Sequence, residues 1–458
     1  MGYRLTTLLI IGLVLTGSAR AESALFAGAA IDPIPVSDVR YGITFTQAEA
    51  AERIISVETG FTVRNREPVL LSLPAWTPGY YRIRDFAGNV MGFSARAGSA
   101  ELHWDKVDPD TWRVFPDRPG RVTIRFDYQA DEFSCETSWT APDFALITGT
   151  NLFLFPEGGD LEFPARVEVT TEPAWQVITG LEPGRRAGTW QAGSFHELVD
   201  CPFFIGRVEY DSREINGHEY RLASYPVDVL TGEAREQLWE ALGRAVPPIE
   251  DVFGETPYDS YTVLLAFGEE YPGMAALEHR NSFLGVGVPD LATHPLLATV
   301  AVHEIFHAWN VKRLRPAEMV PYDYSRTQPT TLLWVSEGLT VYYTDLMLAR
   351  GGAISSQEYY DLVLENINLV QDLPEVALED ASLSTWIEPV DGTHTIYYQK
   401  GALAGLLLDI LIRDASDNRG SLDTVMKHLY DTTWRQGSGF TDEQFWNAAS
   451  NAAEGIDL

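Results

Sequence analysis

The stretch HEIFHAWNVKRLRP, residues 303–316, sets two imidazoles four positions apart with a carboxylate beside the first. In an α-helix such residues lie one above the other. His303 and His307 can therefore present nitrogens to one cation while Glu304 points alongside as a general base. The chemistry this HExxH pattern serves is metal-assisted hydrolysis, and catalytic zinc takes three protein ligands while keeping a fourth position for water. The third ligand must come from elsewhere. Glu337, in LLWVSEGLTVYYTDLML at 332–348, is the candidate, because Leu333, Trp334, Leu339, Tyr342 and Leu346 surround it. A carboxylate in such company is costly unless paired or coordinated. The competing reading pairs Glu337 with a basic residue of NVKRLRP.

The elements that must position these groups are legible in outline. HPLLATVAVHEIFHAWNV reads as a largely apolar helix, with Leu297, Val300, Ile305 and Trp309 available for packing. From about residue 38 to 215, short runs rich in Val, Ile, Thr, Phe and Tyr alternate with Gly, Pro and Asp, the pattern of an all-β sandwich. After Pro226 the period changes. Leu238, Leu242 and Val246 share one helical face, YTVLLAF reads as a buried strand, and helices dominate from Pro295 onward. Ser355 with Glu358 and Thr441 with Gln444 form two capping boxes. The expected architecture is α+β and multidomain: an N-terminal β-domain at 22–225 and a mostly α-helical catalytic domain at 226–458.

Composition narrows the partners. A net charge of −32 over 458 residues repels phosphate backbones, so nucleic-acid binding is excluded as a function class. Residues 1–21 read as a signal peptide, with Arg4, the apolar run Leu8 to Leu15 and the small-residue site Ala19-Arg20-Ala21. Cleavage after Ala21 removes Arg4 and Arg20 and no acid, taking the charge to −34. The run is too short to span about 30 Å of hydrocarbon, so no stable membrane insertion is expected after cleavage, and the location is periplasmic or secreted. Cys135 and Cys201 are the only cysteines; a single bridge and two buried thiols both fit.

The two motifs together resemble the gluzincin metallopeptidases, in which HExxH is followed by a helix carrying the glutamate ligand. Trp334 to Gly338 is similar to the W-x-x-E-G helix of the aminopeptidase N type, although 29 residues separate His307 from Glu337 where those enzymes have 18. HAWNVKRLRP points instead to the related glycyl aminopeptidase family, with its H-E-x-x-H-x-W-N-V-K-R-x-R-P motif. LPAWTPGYYRIRDFAGNV at 73–90, ELVDCPFFIG at 197–206, AALEHRNS at 275–282 and YYQKGAL at 397–403 resemble further family motifs in the same order. Two features depart from it: Ala275 and Ala276 stand where glycines are usual, and the chain ends at Leu458 where members usually carry a PDZ domain.

The resemblance implies a thermolysin-like catalytic fold and a zinc aminopeptidase, one Zn2+ per chain held by His303, His307 and Glu337. It also implies a peptide substrate with a free N-terminus and a preference for Gly or Ala. Glu278 matches the glutamate that binds the substrate ammonium, and Tyr398 the phenol that stabilises the oxyanion; Tyr397 is the neighbour with which it could be confused. Lys400 reads as an ion-pair member. His279 stands as a weaker ligand candidate, and the basic residues of NVKRLRP read as complements to a helix dipole. Two other readings remain: an endopeptidase using the same zinc, and a peptide-binding protein with an inactive site.

Overall fold

The computed structural model describes residues 36–371 and 373–456. The signal-peptide reading therefore lies outside the described residues. Among them, no helix is long and apolar enough to cross a membrane.

The N-terminal half is a multi-sheet β-domain. Its largest sheet has eight strands, with Ser37–Phe45 pairing antiparallel to Ile54–Val63 on one side and parallel to Ala165–Thr171 on the other. Val39, Tyr41, Ile43 and Phe45 alternate into the core, as the period of two demands. Two four-stranded sheets complete the domain. One contains Trp139–Ala141, Phe144–Ile147 and Phe203–Gly206, and buries Phe144, Phe203 and Phe204 completely.

A five-stranded sheet follows, and its membership differs from the sequence reading. Glu209–Ile215 and His218–Tyr225, expected in the β-domain, join it instead: Glu209–Ile215 pairs with His218–Tyr225, which pairs in turn with the buried strand Ser260–Phe267. We therefore place the division between the two regions near residue 208 rather than 225. The reason is connectivity: His218–Tyr225 runs parallel to Ser260–Phe267, and parallel neighbours need a crossover, here the helix Gly232–Phe253. That helix carries Pro247 and Pro248 in its interior. Met274–Glu278 is an edge strand, antiparallel to Ser282–Gly287.

The helices beyond are packed around Leu296–Phe306, Leu339–Arg350 and Tyr397–Ala415. Both capping boxes form: Ser355 Oγ accepts from Glu358 N at 3.2 Å while Glu358 accepts from Ser355 N at 2.7 Å, and Thr441 and Gln444 do likewise. Cys135 and Cys201 are free and buried, so the bridge left open by the sequence is not formed.

Asp345, on Leu339–Arg350, is buried, and burial with help from Glu365 pushes its carboxyl up to about 7. A folded-state pKa above the unfolded value favours the fold while the group is protonated in both states. That stability is lost as pH rises from about 4 through about 7. Asp345→Asn should melt together with the parent protein at pH 4 and at a higher temperature than the parent at pH 9, as read by calorimetry.

Candidate active site

Leu296–Phe306 is apolar almost all round; Ala301, Val302, Ile305 and Phe306 are buried, so the helix is gripped on several faces. His303 lies in its last turn, and His307 caps it with helical φ −61° and ψ −20°. The i to i+4 stacking thus survives to the second ring, and the two Nε2 atoms stand 3.0 Å apart. Beyond His307 the chain unwinds through wider turns, with Lys312 N donating to His307 O at 2.9 Å.

Glu337 arrives on an uncommon element. Trp334–Gly338 forms one π-helical turn, with Leu339 N donating to Trp334 O five residues back. Such a turn inserts a residue into the helical register and re-aims the side chains beyond it, and π-turns concentrate at functional sites. Gly338 permits it: a Cβ there would lie 2.5 Å from Tyr397 O and 2.6 Å from Gly401 Cα. The helix bearing Tyr397 and Tyr398 therefore packs directly against the turn that carries Glu337.

The three side chains converge. Glu337 Oε2 lies 3.2 Å from His307 Nε2 and 3.8 Å from His303 Nε2. Ligand atoms around a tetrahedral zinc with bonds of about 2.0–2.1 Å are separated by roughly 3.3 Å, so this donor set fits the ion. The rings are also oriented for it. His307 Nδ1 donates to Asn310 O at 2.7 Å, and His303 Nδ1 lies 3.5 Å from Thr344 Oγ1, leaving both Nε2 lone pairs facing one point. Burial works against the charge on Glu337, yet His307 and His303 outweigh it and hold the carboxyl well below the usual range. The competing pairing of Glu337 with a basic residue of NVKRLRP is not formed; its partners are the two rings and Tyr81.

Glu304 is buried beside this set, its Oε2 without a hydrogen-bond partner among the described residues. Ligand atoms of Glu278, Glu304 and His307 lie within 4.8 Å of one another. Burial pushes the Glu304 carboxyl up to about 8; His307 opposes this, and Glu278 and Glu337 add to it. Glu278 ends the edge strand Met274–Glu278, and Gly79 of the β-domain is pressed onto it at φ +101°, where a Cβ would meet its carboxylate oxygens at 2.6 and 2.7 Å. Only glycine fits that backbone and that space. Tyr397 is fully buried and Tyr398 half-buried, their rings stacked at 4.8 Å. Burial raises the pKa of both phenols, and the charge of Glu337 raises both further.

Two buried polar groups of the β-domain also escaped sequence reasoning. Tyr81 of the β-domain donates to Glu337 Oε1 at 3.3 Å. Glu136, also from that domain, is buried, with Oε1 3.5 Å from Arg84 Nε and Oε2 unpartnered among the described residues, and burial pushes its carboxyl up to about 8. Tyr81 lies inside the 73–90 motif stretch, which marks the segment but not this side chain, and nothing local marks Glu136. The stretch NVKRLRP does more than complement a dipole: Arg313 donates to Arg280 O, Ala308 O and Pro257 O, and Asn310 Nδ2 donates to Val335 O and Ser336 O, bracing the π-turn. His279 is turned away from the centre, its Nδ1 3.2 Å from Asp200 Oδ1. Lys400 makes no ion pair among the described residues; it donates to the carbonyl of Val376.

Residues 40–207 match the Peptidase M61 N-terminal domain, and residues 297–404 match the M61 glycyl aminopeptidase domain. The chain belongs to the M61 glycyl aminopeptidase family. It is a zinc peptidase of the aminopeptidase type. Among proteins of curated function, none matches this M61 chain in sequence. It resembles the crystal structure of an aminopeptidase N family protein from Idiomarina loihiensis over 92% of its own length and 74% of that chain, with a TM-score of 0.83 and 25% identity. An M1 zinc metallopeptidase from Deinococcus radiodurans is similar over 91% of this chain and 90% of its own, with a TM-score of 0.56 and 16% identity. A mutant of that enzyme bound to a Tyr-Ser-Ala substrate matches with a TM-score of 0.55 and 16% identity over 92% of each chain. At that identity the Deinococcus structures speak to the fold alone.

Proposed function

We propose that this M61 chain removes single residues, Gly or Ala foremost, from the free N-terminus of peptides. His303, His307 and Glu337 would hold the zinc. When bound, the ion acts as a Lewis acid that acidifies water and polarises the scissile carbonyl. Glu304 takes a proton from the attacking water on its unpartnered Oε2 and later returns it to the leaving amine; the raised carboxyl pKa suits that exchange near neutral pH. Tyr398 donates to the oxygen on which charge develops. Tyr397, stacked on Tyr398 at 4.8 Å, is the alternative donor.

The observation that carries the aminopeptidase reading is Glu278: a buried carboxylate at the end of an edge strand, within 4.8 Å of the Glu304 and His307 ligand atoms. A terminal ammonium seated there leaves room for one residue before the scissile bond. The endopeptidase reading gives this carboxylate no task. Glycine and alanine anilides should be cleaved, with activity lost to a chelator and restored by zinc, and their N-acetylated forms should be cleaved at least about 100-fold more slowly. Glu278→Ala should abolish that discrimination. Equal cleavage of blocked and free substrates would favour the endopeptidase. Tight peptide binding without turnover at saturating zinc would favour an inactive binding protein. We also propose secretion or periplasmic export, supported by residues 1–21.

A further inference from the structure

Lys312 lies five residues past His307 on the unwound turn and is buried, 2% exposed. Its Nζ is 2.9 Å from Asp200 Oδ1 and 3.8 Å from Glu278 Oε1. Asp200 is itself fixed from two further directions: Oδ2 accepts from Arg280 N at 2.8 Å, and Oδ1 lies 3.2 Å from His279 Nδ1. Glu278 Oε1 has no hydrogen-bond partner among the described residues, and Gly79 approaches both carboxylate oxygens so closely that a Cβ there would meet them at 2.6 and 2.7 Å. The ammonium is thus tethered to one carboxylate and held just short of contact with the other.

We infer that Lys312 is a positioning residue for the amine-binding carboxylate, and that Asp200 sets how closely it approaches. This inference rests on the reading of Glu278 as the amine anchor. Three carboxylates, Glu278, Glu304 and Glu337, crowd the same space, and a fixed positive charge behind Glu278 offsets their repulsion while leaving its front to the substrate. Full contact between Lys312 and Glu278 would defeat the purpose, because the lysine would then occupy the place of the substrate's own ammonium. Asp200 prevents this by the shorter bond. The β-domain supplies Asp200 from the motif ELVDCPFFIG, which gives that stretch a role in recognising substrate as well as in packing.

The test is steady-state kinetics with an alanine anilide on the zinc-loaded full chain. Lys312→Met should raise KM about 10-fold or more with kcat within about three-fold and zinc content unchanged, and Lys312→Arg should recover part of the loss. Cleavage of the N-acetylated anilide should not change. Asp200→Asn, which keeps shape and serves where Lys312→Met fails to fold, should also raise KM by freeing the lysine to move onto Glu278. An unchanged KM in Lys312→Met or Asp200→Asn, or a fall in kcat at constant KM, overturns the inference. Glu278→Ala separates the two claims: if it leaves KM unchanged the amine anchor itself is wrong, whereas a raised KM there beside a normal one in the Lys312 variants removes this inference alone.

Discussion

Glu304→Gln should lower kcat by roughly 10³-fold while zinc content stays at that of the parent protein. Glutamine matches the carboxylate in size and can still occupy the buried slot, but it cannot accept and return a proton. Glu304 lies outside the set formed by His303, His307 and Glu337, so the variant should bind metal as before. The pH profile carries the same claim. Burial holds the Glu304 carboxyl high, up to about 8 without the ion, and a nearby dication favours its ionised form and draws that value down. Activity of the parent should therefore rise with pH on the acid side as Glu304 loses its proton, and the residual activity of Glu304→Gln should lack that limb. Metal analysis with kcat against pH decides it. Retention of a tenth or more of parental activity would remove Glu304 as the base.

Glu337→Ala should cost the metal itself. Three donors are the minimum for a catalytic zinc site, and two neutral imidazoles 3.0 Å apart, without a carboxylate, make a far weaker one. Zinc after dialysis should fall from about one per chain to near zero, with turnover falling alongside it and excess zinc recovering only part. Tyr81→Phe provides the graded comparison. Removing the phenol that donates to Glu337 Oε1 leaves all three ligands and should weaken zinc binding by about 10- to 100-fold, the usual effect of a group that orients a ligand. Competition with a chromogenic chelator measures both. A Glu337→Ala protein that keeps stoichiometric zinc would refute the assigned ligand set.

Local geometry explains which parts of the fold and the site are legible in the sequence. His303 and His307 meet because one helical turn brings i and i+4 together, and the capping boxes at Ser355 and Thr441 involve residues three apart, so a few neighbouring letters suffice. The buried strand Ser260–Phe267 announces itself as an unbroken apolar run. Family motifs extend this to Glu278 and Glu337, whose carboxylates lie beside His307, and to Tyr398, on the helix that packs against the turn carrying Glu337.

The sequence by itself determined the pair of rings, the adjacent base and the candidates that could complete a zinc site, because covalent spacing and helix periodicity act over short distances. Only the tertiary structure decided how that site is held. The π-turn that aims Glu337 depends on Gly338 lying against Gly401, the phenol on Glu337 comes from 256 residues away, and the lysine behind Glu278 is tethered by Asp200, 112 residues earlier. Such contacts arise when separate elements pack and bury charge together, and no window of neighbouring residues encodes them.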